Sequence, residues 1–304
     1  MGILRVTQGI IAQRMLNNLQ NQSQRILDLQ TQLATGLRVN SPSDSPIDAR
    51  RAINTRSTIT KNEQYLRNIS IVSPRLEETV TAIQTMSDNL LRARELTIQG
   101  ANGTNDQVAL DAIAEEINQI LEAAVNTANH QTGSLYIFGG TRTNTLPYDV
   151  TRDANGNITA VTYQGNAEKI LVNVGDGLTV PTNEVGSTVF QSSQDIFQVL
   201  IDIRDNLFAG DQGSLQNARL TELESARQQL SQAQSRVGAV QNRLARTETE
   251  ISDFQVQLQE LLSDSIDADF ADVMINLNMQ SNAFQAALSA GARIIQPSLL
   301  DFLG

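Results

Sequence analysis

The chain has 304 residues, a formal net charge of -11, 40% hydrophobic residues, only 4% aromatic residues, and neither Trp nor Cys. Without cysteine there are no disulfides, no thiolate nucleophile and no cysteine-ligated metal. The acidic balance argues against a general nucleic-acid binder, which needs cations to displace phosphate counterions. The length allows about two domains.

Arg5 and Arg14 interrupt any apolar run of the kind a secretory signal needs, so no cleaved leader is expected. The first helix is predicted from about Thr7 to Thr35. Met15, Leu19, Ile26, Leu29 and Leu33 hold its seam, Gln22 is the one polar member, and Gly36 ends it. The stretch from Asn40 to Pro46 carries two prolines and forbids a continuous helix. A second helix follows from about Ile47 to Gly100, with Leu66, Ile69, Leu76, Val80, Ile83 and Leu90 in register. Ser73-Pro74 either kinks it or restarts it. Thr104 and Gln107 have capping-box spacing and are expected to open a third helix with Leu110, Ile113, Ile117, Ile120, Leu121 and Ala124 on one face.

From residue 135 to 190 helical periodicity gives way to Gly, Thr, Val and Asn. Short strands are predicted at 158–163 and 169–174, with Asn155-Gly156 as a hairpin turn. Helix returns at about Ser193 to Phe208. Then comes the longest regular run, Leu223 to Leu261. One heptad position is filled by Leu223, Leu230, Val237, Leu244, Ile251 and Leu258, the other by Ala226, Ala233, Val240, Thr247, Phe254 and Leu261. Such a segment reads as a rod about 60 Å long. After the acidic stretch Asp264, Asp267, Asp269 and Asp272 the seam restarts as Val273, Leu277, Phe284, Leu288 and Ile295, and Pro297 ends it. This last helix contains Asn276, Asn278, Gln280, Asn282 and Gln285, so no membrane insertion is expected.

Chemical motifs are sparse. His130 is the only histidine and cannot by itself anchor a zinc site or an acid–base pair. Asp153 to Asn157 has the wrong glycine position for a calcium loop and reads as a hairpin turn. Asp264, Asp267, Asp269 and Asp272 read as a solvated helix face. Phe138-Gly139-Gly140-Thr141 lacks the lysine of a phosphate loop and reads as a turn into the β region. Glu115 and Glu116 are adjacent on a helix and point apart. No cofactor and no enzymatic constellation are expected.

The two ends differ in charge. Residues 1–40 hold four arginines and one aspartate, whereas residues 262–304 hold five aspartates and one arginine. Opposite sign favours the two ends pairing, although the apolar seam must supply most of the affinity. Neither end helix shows a second apolar face in this reading, so each alone is a marginal helix.

Gln32-Leu-Ala-Thr-Gly-Leu-Arg-Val-Asn-Ser41 resembles a segment common to the flagellin superfamily of bacterial flagellar axial proteins. Pro42-Ser-Asp-Ser-Pro-Ile-Asp48, Tyr136-Ile-Phe-Gly-Gly-Thr-Arg-Thr143 with Pro147-Tyr148, and the C-terminal Ala283-Phe-Gln-Ala-Ala-Leu288 and Ile294 to Leu303 are closer to its hook–filament junction branch than to flagellin. The resemblance implies a mainly α, elongated helical bundle or coiled coil built from both chain ends, with a small β insert. It assigns residues 1–40 and 266–304 to an inner-tube domain, 41–143 and 191–265 to a rod domain, and 144–190 to an outer β domain. It further implies a structural adapter linking hook-associated protein 1 to flagellin, assembled as a ring or tube of copies outside the cell. Such a protein is exported without signal cleavage, with a flagellar export chaperone holding the C-terminal helix beforehand.

The expected assembly interface is then Met15, Leu19, Ile26, Leu29 and Leu33 with Val273, Leu277, Phe284, Leu288 and Ile295. The expected rod core is Leu230, Val237, Leu244, Ile251 and Leu258. Flagellin itself, and a type III-secreted binding or effector protein, are the alternatives. The ends are expected to order only on assembly, and the β insert to be dispensable for it.

Overall fold

A computed structural model describes residues 2–295, with side chains described for residue 10 and residues 12–292. Pro297 therefore lies outside the described residues, as does the side chain of Ile295. The chain divides into two compact units, Met1–Lys61 with Asp253–Gly304, and Asn62–Ser252. These divisions fall inside long helices, away from the breaks near residues 40 and 265 that the sequence pattern marks.

The helices of the first unit are α1 (Gly2–Thr35), the start of α2 (Pro46–Gly100), the end of α7 (Leu220–Ile266) and α8 (Phe270–Ile295). Gly36 ends α1 with φ +73, a conformation that only glycine adopts cheaply. Ser45, Pro46 and Asp48 open α2. The Ser45 hydroxyl donates to the Asp48 carboxylate at 2.8 Å, and proline stands at the first helical position, where its missing N–H costs nothing. Within this unit Val39, Ala52 and Ile266 form a small buried cluster joined by Leu37, Ala49 and Leu262.

The middle unit holds the main core. α2 continues through Ser73-Pro74 without a break, which settles the choice the sequence left open. Ile69, Leu76, Ile83 and Leu90 from α2 are buried with Leu110, Ile113, Ile117 and Leu121 from α3 (Gln107–Ala128). α3 is not capped by Thr104. Asp106 accepts from the Ala109 N–H at 2.9 Å, and Gln107 reaches the Phe208 carbonyl and Asp111. An aspartate directly before the first helical residue outcompetes the more distant threonine.

Three two-stranded antiparallel hairpins follow: β1 (Gln131–Thr132) with β2 (Leu135–Tyr136), β3 (Tyr148–Arg152) with β4 (Ile158–Tyr163), and β5 (Leu171–Gly175) with β6 (Leu178–Pro181). The sequence reading found β4 and most of β5 but missed their partners. β3 is only half apolar on its face, and β6 ends in proline. Asn155-Gly156 does turn the second hairpin, with φ +90 at Gly156 and the Asp153 carboxylate accepting from the Asn155 and Asn157 N–H groups.

This β region is not a separate module. Tyr148, Ile158, Val174 and Val180 belong to the same buried cluster as the helices. Tyr148, Phe190 and Phe197 pack ring to ring within 4.9 to 6.1 Å, and Phe138 meets Phe190 at 4.8 Å. Phe190 ends α4 (Gly186–Phe190) and Phe197 begins α5 (Ile196–Phe208). Deleting residues 144–190 would thus remove Tyr148, Tyr163 and Phe190 from this ring cluster, so the expectation of a dispensable insert does not fit this core.

α6 (Gln212–Ser214) and a π-helical turn (Leu215–Arg219) lead into α7. Leu223, Leu230, Val237 and Leu244 are at most 1% exposed, Ile251 is half-buried and packed against the core, and Leu258 is buried in the other unit. The second heptad position behaves differently. Ala226, Ala233 and Thr247 are buried, but Phe254 is 46% and Leu261 43% exposed. The heptad pattern persists in the sequence where its partner surface in the chain has ended.

Candidate assembly interface

In the first unit α1 and α8 pack against each other and run antiparallel, an orientation the sequence could not decide. At one end the Ala268 N–H donates to the Gly36 carbonyl at 2.9 Å. Farther along, a Cβ built on Gly291 would stand 2.3 Å from the Met15 methyl. Gly291 gives the Met15 side chain room against α8.

The seam residues read from the sequence take these places. Met15, Leu19, Ile26, Leu29 and Leu33 are each half-buried on one stripe of α1, with exposed residues between them. Val273 is buried, Leu277 and Phe284 are half-buried, and Leu288 is 46% exposed while still lining a cleft with Met15, Leu19 and Gly291. Gln22 joins the same stripe, and its side-chain oxygen is buried without a hydrogen-bond partner. None of the α1 seam residues is fully buried.

Two features escaped the sequence reading. The first is a second apolar surface. Ile275 and Met279 are each 60% exposed, one helical turn apart, and Phe270 and Met274 form a neighbouring ridge at 56% and 50%. On α1, Leu16 and Leu27 are 54% and 52% exposed. The expectation that each end helix has a single apolar face is therefore corrected. The i, i+4 spacing of Ile275 and Met279 was the available signal, masked by the asparagines between the ridges.

The second feature is a clasp between the two chain ends. The Arg38 and Val39 N–H groups donate to the Ile266 carbonyl, and the Arg38 guanidinium bonds the Ser265 carbonyl at 2.7 Å and Asp48 at 3.1 Å. The Ser45 hydroxyl and Arg38 hold the Asp48 carboxyl below the usual carboxylate range. Backbone and hydroxyl bonds from Ser41 do the same for Asp44. Among the described residues no ion pair links α1 to α8. Of the four acidic residues at the break, Asp269 caps α8 by accepting from the Ala271 N–H, and Asp267 accepts from the Ser263 hydroxyl. These two are turn and cap groups.

His130 lies just past α3 and bonds Glu78 at 3.0 Å on a half-exposed surface. Gly140, with φ +69, turns the chain into the β region. There the Asn166 carboxamide accepts from the Thr141 N–H, and the Asn183 carboxamide donates to the Gly140 carbonyl. These groups secure loops. No described helix is long and apolar enough to cross a membrane.

The first unit pairs long antiparallel helices from both ends of the chain, with exposed apolar residues on each, and the second holds a helical and hairpin core; together these define a protein of the flagellin class. The chain belongs to the flagellin family: residues 6–143 match the bacterial flagellin N-terminal helical region and residues 220–303 the C-terminal helical region. It is 26% identical over 197 residues to flagellar hook-associated protein 3 of Salmonella typhimurium, covering 62% of this chain and 57% of that protein. It is 30% identical over 164 residues to the phase 1 flagellin of Salmonella naestved, covering 54% of this chain but 28% of that one. The chain thus spans less than two thirds of the length of these relatives. In structure it is similar to Bacillus cereus FlgL, at TM-score 0.58 and 26% identity, over 69% of this chain and 99% of that one.

Proposed function

We propose that this chain is a structural component of the bacterial flagellum: an adapter at the hook–filament junction that links hook-associated protein 1 to flagellin, outside the cell. The observation that carries this reading is the open α1–α8 pair. Met274, Ile275, Met279 and Leu288 stand at 46% exposure or more on a helix that has α1 as its close partner. Apolar area of this kind is stabilised by burial at about 25 cal/mol per Å². Copies arranged in a ring or tube would cover these ridges, with residues 1–40 and 266–304 as the inner layer, the rod residues 41–143 and 191–265 outside it, and residues 144–190 outermost. An export chaperone holding the C-terminal helix would shield the same ridges before assembly. The role is mechanical.

Flagellin is the second reading, favoured by the 30% identical segment shared with that protein. Electron microscopy of the purified chain separates the two. An adapter forms short polymers or none alone and joins filaments when hook-associated protein 1 and flagellin are supplied. Long filaments from this chain alone would contradict the adapter reading. Leu277→Asp with Phe284→Asp should block incorporation while leaving the melting of residues 62–252 unchanged. Normal incorporation of that double variant would remove the terminal helices from the interface.

A further inference from the structure

The chain has five methionines and no cysteine or Trp, so methionine is its only sulfur and its readiest target for two-electron oxidants. The described methionine side chains are unevenly placed. Met86 is 0% exposed in the middle unit's core, Met15 is half-buried against Gly291, and Met274 and Met279 are 50% and 60% exposed on α8. Each exposed one follows another exposed apolar residue by one turn, Phe270 before Met274 and Ile275 before Met279. The two thioethers therefore complete both open ridges of α8.

We propose that Met274 and Met279 are oxidation sites at which a peroxide switches off the assembly competence of the free subunit. A thioether lone pair attacks one oxygen of hydrogen peroxide, the O–O bond breaks, and a proton shift yields sulfoxide and water. Sulfur is oxidised and the peroxide reduced, with no further reactant. The sulfoxide places a strong hydrogen-bond acceptor on a ridge that assembly would desolvate, and a buried acceptor without a donor opposes burial. Neighbouring copies would shield the same sulfurs, so the subunit is vulnerable before incorporation and protected after it. The chemistry follows from exposure alone; the consequence for assembly rests on the adapter reading.

The test treats the full chain with hydrogen peroxide and maps oxygen addition by peptide mass spectrometry. Incorporation is then measured with hook-associated protein 1 and flagellin. Met279 and Met274 should oxidise first, Met15 more slowly, and Met86 about ten-fold or more slower than Met279, because it reacts only through opening of the core. Oxidised chain should keep its thermal melt yet lose most of its incorporation, and whatever incorporation the Met274→Leu, Met279→Leu variant shows above background should be the same with and without peroxide. Oxidation of Met86 as fast as Met279, full incorporation of oxidised chain, or equal peroxide sensitivity of the double variant would each overturn the proposal. Untreated chain that fails to incorporate contradicts the adapter reading and the stated consequence, while the order of oxidation stands or falls by the mapping.

Discussion

Gln22 shows how one polar atom tunes a helix seam. Its side-chain oxygen is buried without a partner in the stripe that holds Leu19 and Ile26. An unsatisfied buried acceptor is destabilising, and a polar residue in a coiled-coil seam serves register more than strength. Gln22→Leu should therefore stabilise the α1–α8 pair by about 1 kcal/mol, read as slower amide exchange along α1. Asp44 and Asp48 act in the opposite sense. Both carboxyls are held below their usual range in the folded chain, Asp44 by Ser41 and Asp48 by Ser45 and Arg38. A depressed folded pKa gives stability that is complete above the unfolded value, about 4, and that is lost as pH falls through the folded one. The stability these two carboxylates contribute should fade on acidification below about pH 4, and Asp48→Asn should flatten that part of the melting-versus-pH curve. Unchanged acid sensitivity in the Asn variant would show that the clasp does not titrate.

At the level of elements, helix positions were legible and their partners less so. The period-3.6 pattern in α3 predicted its buried face, and that in α1 the half-buried stripe that meets α8. Caps and hairpins depend on single competing groups, which is why the spacing of Thr104 and Gln107 points to a cap where Asp106 does the capping. Asp106→Ala should cost about 1 kcal/mol by thermal melting and Thr104→Ala much less. In α7 the heptad pattern continues beyond the surface that covers it, so pattern alone overstated the core. Leu244→Asp should unfold the middle unit, because that side chain is 1% exposed. Leu261→Asp, at 43% exposure, should leave the melt of the isolated chain nearly unchanged. Equal destabilisation by the two would mean that the exposed stripe is covered within the chain.

At the level of the whole molecule, both ends of the sequence announced a family of axial proteins through their seams and linker motifs. The apolar ridges opposite those seams were harder to read, because Asn276, Asn278 and Asn282 break up the residues that form them. Residues 144–190 looked like an independent insert because their texture is different. Yet Tyr148 and Phe190 are 0% exposed within the middle unit's own core, and Arg204, only 4% exposed at its side chain, donates to the Ile158 carbonyl and to Asn118. Composition changes along the chain, but the core that residues 62–252 share does not.

The account turns on terminal helices that gain their burial from neighbouring copies. Hydrogen–deuterium exchange of the isolated chain and of the assembled junction tests this directly, over residues 10–35 and 270–292. Fast exchange in the isolated chain, slowing at least about ten-fold on assembly while residues 69–125 hardly change, is the predicted result. Protection of both helices in the isolated chain equal to that of residues 69–125, with no further gain on assembly, would contradict it.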